Sequence, residues 1–313
     1  MERVDGSEEL ACAIETAMRA GRLLRDLFEQ AHTVRTKSSP SDLVTEADTA
    51  AEALIVESLH GCFPQHRILA EEGMGDLVSL GQRSSHAERG QASRPGAEEA
   101  LRCAQGDRDA VGPGSLADRE GVLPPGGLWI VDPLDGTVNY AHRYPTWGVS
   151  ISLVVGGRVE VAVTHDPMRG DTYWAERGRG AWCDGRRLQV STVAHLGEAL
   201  LMTGFPYNRA AGEDNNLAEF GAIMPRVHGV RRAGAAVLDL AHVADGRLEG
   251  YWEKHLRPWD WAAGWLLVEE AGGTVSDLEG HPWSLERCSL VATNGLLHGE
   301  LLEALQAARR SVA

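Results

Sequence analysis

The sequence predicts a layered α/β fold of the α+β kind, and three observations carry that expectation. Stretches of apolar residues at helical spacing occur in the first 60 residues and again over 234–271. Between them, short apolar runs are joined by glycine turns, which marks antiparallel hairpins. Strands and helices then mix without a regular βαβ repeat, which argues against a barrel. The 313 residues are 43% hydrophobic and 24% charged. A globular chain of this size buries a core without disulfide or metal staples.

Residues 8–30 read as a helix, because Leu10, Ile14, Met18, Leu24, Leu27 and Phe28 recur with a period close to 3.6. Residues 45–60 read as a second helix, with Thr45 as N-cap and Glu46 and Asp48 in the first turn. Pro64 follows its end, and a short apolar run, Ile68–Ala70, stops at Glu71-Glu72. Residues 73–127 change character. They are rich in Gly, Ser, Ala, Arg and Glu and end in Pro124-Pro125-Gly126-Gly127. This stretch is expected to be a disordered surface insertion, with a short helix around Ala97–Cys103.

Leu128–Val131 then reads as a buried strand. Gly148–Val155 and Arg158–Thr164 flank the hairpin turn Gly156-Gly157. Thr172–Glu176 and Ala181–Val190 form another pair. Residues 234–244 are expected to be helical and Leu248–Trp252 extended. Pro258 opens a helix from about Trp259 to Ala271, stopped by Gly272-Gly273. On this helix Trp261 and Trp265 are expected in the core.

The net charge is −15, from 45 acids against 30 bases. That argues against non-specific binding to nucleic acid or anionic membrane. Lys37 and Lys254 are the only lysines, which reads as arginine-rich codon usage. The five cysteines are widely spaced without a CxxC pair, and are expected to be reduced thiols of a cytoplasmic protein. The acidic start, MERVDGSEEL, lacks the basic and apolar regions of a signal peptide.

The chemistry concentrates in Asp132-Pro133-Leu134-Asp135-Gly136-Thr137, directly after the apolar strand. Two carboxylates on a turn shaped by Pro133 and Gly136 can converge on one point. Such a pair is costly unless a cation joins it. In sequence no lysine lies near, and the nearest arginine, Arg143, is eight residues beyond Asp135. Oxygen ligands suit hard cations such as Mg²⁺, Mn²⁺ or Ca²⁺. Gly136-Thr137 offers N–H groups and a hydroxyl to an anion beside them. Each acid has an ordinary alternative: solvated turn acids for Asp132 and Asp135, helix first-turn acids for Asp48 and Asp260. Together with Glu71 they sit at the entries and exits of apolar elements, the pattern of a metal-assisted phosphoryl-transfer site.

Four segments carry a resemblance: DLVTEAD (Asp42–Asp48), ILAEEG (Ile68–Gly73), WIVDPLDGTVNYAHRYPTWGVSISL (Trp129–Leu153) and PWDWAAGWLLVEEAGG (Pro258–Gly273). In this order they resemble the inositol monophosphatase family of Mg²⁺-dependent, lithium-sensitive phosphatases. The resemblance runs from about residue 8 to 305, interrupted by the insertion. It implies an αβαβα sandwich in a single domain, with an N-terminal half of about 8–195 and a C-terminal half of about 196–305. It also implies a cytoplasmic homodimer and two or three Mg²⁺ ions per site. Glu71, Asp132, Asp135 and Asp260, with the Leu134 carbonyl, would be metal ligands. Asp48 and Thr137, with Glu71, would be catalytic, the first two orienting and helping to deprotonate the attacking water. Gly136 and Thr137 would hold the phosphate. Gly234, Ala235, Ala236 and Glu253 would line the substrate ring, with Leu134, Asp135 and Asp260 also facing substrate. Ala235 departs from the Ser or Thr of many members. The insertion falls where relatives have a short ligand-bearing loop.

The function so implied is hydrolysis of myo-inositol monophosphate to inositol and phosphate, without a phosphoenzyme. The alternatives on the same fold are phosphatases for histidinol phosphate, fructose 1,6-bisphosphate or nucleotide 3′-phosphates. A regulatory binding protein that docks through the insertion is a different class, and a lectin-like module a third. A small phosphorylated polyol is the expected partner, with no nucleic acid and no membrane.

Overall fold

The computed structural model describes residues 6–30, 34–37, 43–73, 126–207, 209–210, 214–282, 284–285 and 287–310. The chain opens with α1 (Glu8–Phe28), capped by Ser7, whose hydroxyl oxygen accepts the Leu10 N–H at 3.2 Å. Leu10, Ala13, Ala17 and Leu24 form its buried stripe. Strands β1 (Val34–Thr36) and β2 (Leu43–Thr45) pair antiparallel, and α2 (Glu46–Cys62) follows directly. Thr45 and Asp48 form a reciprocal capping box at its start.

The first sheet has seven strands in chain order: β3 (Arg67–Ala70), β4 (Leu128–Asp135), β5 (Gly148–Val155), β6 (Arg158–Asp166), β7 (Asp171–Glu176), β8 (Ala181–Cys183) and β9 (Arg186–Arg187). β3 and β4 are parallel, and the remaining neighbours are antiparallel. The short helix α3 (Thr137–Ala141) caps the end of β4.

The second sheet has five strands. Its order is β11 (Gly229–Arg231), β10 (Leu200–Thr203), β12 (Gly250–Lys254), β14 (Ser289–Thr293), β13 (Thr274–Ser276). β11, β10 and β12 run parallel, and β14 is antiparallel to both its neighbours. The helices of this half are α4 (Leu217–Ile223), α5 (Ala236–Ala244), α6 (Pro258–Glu270) and α7 (His298–Arg310).

The elements stack as an αβαβα sandwich. α1 and α2 cover one face of the first sheet, where Leu24, Ile55, Trp129 and Val131 share a core. α5 and α6 fill the space between the sheets, packing Leu240 and Leu266 with Ile130 from one sheet and Tyr251 from the other. α4 and α7 cover the outer face of the second sheet around Trp252, Ile223 and Leu301. The alternation of Trp129 and Val131 against Ile130 is the period of two that sends successive side chains to opposite faces. Within the middle layer, a Cβ on Gly264 would stand 2.4 Å from Leu240, so glycine permits the close contact of α5 with α6.

Most expected elements recur with ends shifted by a few residues. The run expected as one strand over Ala181–Val190 breaks instead at Asp184-Gly185, where φ is +46° and +83°. That turn separates β8 from β9. The expected 73–127 insertion lies outside the described residues apart from Gly73, Gly126 and Gly127, as does the helix expected around Ala97–Cys103. Cys12, Cys62 and Cys183 are free thiols, whereas Cys288 is disulfide-bonded, against the expectation that all five are reduced. Trp261 is 1% exposed and Trp265 packs beside the same core, as expected. Among the described residues no helix is long and apolar enough to cross a membrane.

Candidate active site

The site is built around the end of β4. Pairing of β4 with β5 shifts register between Asp132 and Asp135, where Pro133 has no N–H to contribute. The irregularity interrupts the ladder at Pro133 and Leu134, and pairing resumes with Asp135 opposite Gly148. Asp132 is 1% exposed, and its Oδ1 accepts the Leu134 N–H at 3.0 Å. Gly136 follows at φ +91°, and a Cβ there would lie 3.0 Å from the Thr146 carbonyl oxygen and 3.2 Å from that of Gly234. Only glycine suits both the backbone conformation and the space. The Asn139 amide ties this turn further, donating to the carbonyls of Thr146 at 2.7 Å and Ala233 at 2.8 Å.

Asp48 comes from the first turn of α2. Its Oδ2 accepts from the Thr45 N–H at 2.8 Å and the Thr45 hydroxyl at 2.6 Å. Its Oδ1 lies 3.0 Å from the Thr137 hydroxyl, which also reaches the Leu134 carbonyl at 3.1 Å. The helix-cap reading of Asp48 is met, and the same carboxylate also joins Thr137. Burial raises its pKa, partly offset by the bonds from Thr45.

Glu71 follows β3. Lys37, just past β1, donates to Glu71 at 2.9 Å and also to Glu72. The Glu72 N–H in turn donates to the fully buried Glu52 at 2.7 Å. The acids are thus not without a cation, as sequence distance had implied. The strand pair β1–β2 delivers one from 34 residues away.

The C-terminal half closes the site. Asp260, in the first turn of α6, accepts the Arg257 N–H at 2.6 Å through Oδ2. The Val237 N–H, at the start of α5, donates to Asp135 Oδ2 at 2.8 Å. Ala235 occupies the N-cap of α5 and offers no side-chain bond, so the helix start is bonded to Asp135 instead. Gly234 lies at φ +90°, with the Arg232 guanidinium 2.3 Å from where its Cβ would stand. Glu253, on β12, accepts a hydrogen bond from the buried Tyr251 hydroxyl.

The electrostatics bind these residues into one group. Asp132 is driven well above the usual carboxylate range, first by burial and then by the fields of Glu71, Asp135 and Asp260. Burial pushes Asp135 up to about 7, with Glu71 and Glu253 adding to it. Asp260 is raised by burial and then by Asp135. Glu253 is pushed to about 7 by burial, with Tyr251 and Arg232 pulling the other way. Like charges driven up together are what a bound cation reverses. Carboxylate oxygens are the donors that suit a hard divalent ion.

Of the residues expected at the site, Asp48, Leu134 and Thr137 are joined by hydrogen bonds, Asp135 is bonded to the start of α5, and Glu71, Asp132, Asp135, Asp260 and Glu253 are linked by their fields. Sequence reasoning missed Lys37, Gly204, Arg232, Asp239 and Tyr251. Asp239 is 2% exposed, its Oδ1 has no hydrogen-bond partner, and burial and Asp135 raise it strongly. The signal for Lys37 was its rarity. Gly204 and Tyr251 gave none until the strands were paired. A separate group, Asp171, Cys183 and Asp184, brings ligand atoms within 4.8 Å on the far strands of the first sheet. There Asp171 already accepts from Tyr173 at 3.2 Å.

Comparison with known proteins gives a consistent picture. The profile of the inositol monophosphatase family matches residues 5–311. An inositol-1-monophosphatase of Synechocystis is 39% identical over 298 residues, spanning 95% of this chain and 88% of that protein. The Nus factor SuhB of Pseudomonas aeruginosa is 40% identical over 300 residues, spanning 95% of each. Among solved structures, inositol monophosphatase from Anabaena superposes with a TM-score of 0.73 at 37% identity, covering 95% of both chains. The IMPase of Thermotoga maritima gives 0.76 at 28% identity, covering 98% of this chain and all of the other.

Proposed function

Because this chain belongs to the inositol monophosphatase family and is a phosphatase, we propose that its substrate is a myo-inositol monophosphate, hydrolysed in a Mg²⁺-dependent, Li⁺-sensitive reaction. The observation that carries the reading is the convergence of two halves of the chain on Asp135. The turn after β4 brings Asp132, Gly136 and Thr137, and α5 reaches the same carboxylate through Val237.

Glu71, Asp132, Asp135 and Asp260, with the Leu134 carbonyl, would hold the magnesium. When bound, the ions supply charge neutralisation for the ester and acidify water. The chain's own residues do the rest. Thr137 donates its hydroxyl proton to Asp48, which turns a lone pair of its oxygen toward the water that attacks phosphorus. Asp48, already bonded by Thr45, accepts the proton relayed through Thr137. Burial holds its pKa above that of an exposed acid, as suits a general base. The N–H groups of Gly136 and Thr137 would hold the phosphate oxygens. Gly234, Ala235 and Ala236 would line the leaving alcohol, and Glu253 would accept one of its hydroxyls.

The preference for a polyol ester over histidinol phosphate rests on Glu253, which would accept a ring hydroxyl. Phosphate release from inositol 1-phosphate, histidinol phosphate and fructose 1,6-bisphosphate, with and without Mg²⁺ and with added Li⁺, tests this. The inositol ester should have the highest kcat/KM. A higher value for histidinol phosphate or the bisphosphate would overturn the substrate assignment and leave the phosphatase in place.

A homodimer is the assembly expected of the family, and sedimentation equilibrium would measure it. A second reading, an additional role as a Nus factor, rests on the relatives named SuhB. With a net charge of −15, such a role would work through a protein partner. RNA binding by the isolated chain at physiological salt would overturn that form of it.

A further inference from the structure

We propose that Gly204 and Tyr251 are positioning residues that fix the Glu253 carboxylate and thereby set selectivity for the leaving alcohol. The proposal rests on the assignment of Glu253 to the ring hydroxyls.

Glu253 is held from two sides. Its neighbour two residues back, Tyr251, is fully buried and donates its hydroxyl to Oε2. On the other side, β10 runs parallel to β12 with Thr203 paired to Trp252. One residue further along β10, Gly204 therefore stands level with Glu253. A Cβ at Gly204 would lie 2.0 Å from Oε2 and 2.1 Å from Cδ and Oε1. The whole carboxylate fills the space that any other side chain would take. Any Cβ here would displace the carboxylate, so glycine matters by close approach and not by backbone conformation, since its φ is not positive.

The wall that Gly204 presents is itself fixed. Asn216, 1% exposed and at φ +68°, donates its amide to the Gly204 carbonyl at 2.6 Å and to the Thr203 hydroxyl at 2.8 Å. Its carbonyl oxygen accepts the Trp252 indole N–H at 2.8 Å. The Thr203 hydroxyl reaches the Trp252 carbonyl at 2.7 Å. A buried polar network thus locks the end of β10 onto β12 at the level of Glu253. With Oε2 taken by Tyr251, Oε1 is the oxygen left for a hydroxyl of the leaving alcohol. A ring with a hydroxyl at one set place is accepted, and an alcohol that cannot reach Oε1 gains nothing from it. Discrimination of this kind, by a polar group with a fixed place, is the strong kind.

The test is a double-mutant cycle read on two esters, inositol 1-phosphate and glycerol 2-phosphate, in full-length enzyme with Mg²⁺. The readout is the ratio of the two kcat/KM values. Tyr251→Phe keeps shape and removes one hydroxyl. Gly204→Ala pushes on the carboxylate. Each should lower the ratio about tenfold, mainly through KM of the inositol ester. In a Glu253→Gln background neither should lower it further, because both act through Glu253. Proportional losses on both esters, or full additivity with Glu253→Gln, would overturn the proposal. Should Gly204→Ala fail to fold, Tyr251→Phe decides alone. If the unmutated enzyme favours another ester, the substrate assignment fails. The cycle is then read on the preferred ester, and a ratio that does not change overturns the positioning role separately.

Discussion

Asp48 joins two distant parts of the chain through one side chain. The same carboxylate caps α2 through Thr45 and receives the Thr137 hydroxyl from a turn 89 residues away. Replacing Thr137 with valine keeps the volume and removes that bond. Turnover should fall by about 10²–10⁴, the range of a general acid–base contribution, with KM changed far less. Steady-state kinetics at saturating Mg²⁺ would show it, and near-normal turnover would remove the pair from the mechanism. The carboxylates themselves were legible in the sequence, because each stands where an apolar run begins or stops. Lys37 was not, because its contact with Glu71 depends on how β1 is placed. Lys254 is the other lysine, and it is 4% exposed and paired with Asp214 and Glu219. Both lysines of the chain therefore sit in ion pairs.

Among the elements, the helices and long strands were legible, and the short strands of the second sheet were not. β5 and β6 carry long apolar runs around a glycine turn, so local pattern and burial agree. β10, β11 and β13 have three or four residues each, too few for a periodic signal, and gain their stability from neighbours remote in sequence. α7 is amphipathic, burying Leu301, Ala304, Leu305 and Ala308, yet no expectation was drawn for it. The contact of α5 with α6 was likewise invisible, because the glycine that permits it lies in an apolar run like any other. Gly264→Ala would force a methyl to 2.4 Å from Leu240. That overpacking should cost about 1–3 kcal/mol in urea denaturation, against the gain in helix propensity that alanine brings to an exposed site.

Taken over the whole molecule, the raised pKa values of the buried acids make stability depend on pH and on any cation bound among them. Asp135 and Glu253 titrate in the folded chain near 7, and Asp132 and Asp260 are raised as well. In an unfolded chain such groups titrate near about 4. The folded, metal-free protein therefore holds protons that the unfolded chain has released. Its stability is greatest below about pH 4 as far as these groups are concerned, and declines as pH rises toward 7. Bound cations compete with those protons, so the rise in Tm on adding Mg²⁺ should be larger at pH 8 than at pH 5. Calorimetry at the two values checks the sign, and an equal rise would mean that these carboxylates are not the ones the metal meets. The topology adds a consequence at the edge of the first sheet. β3 and β4 point the same way, with Arg67 opposite Leu128 and Ala70 opposite Val131. A chain that climbs one strand and then its parallel neighbour must travel back the height of the strand in between. Glu71 follows the last residue of the first of these strands, so that carboxylate stands where the parallel crossover begins, at the end of the strand beside the one that carries Asp132 and Asp135.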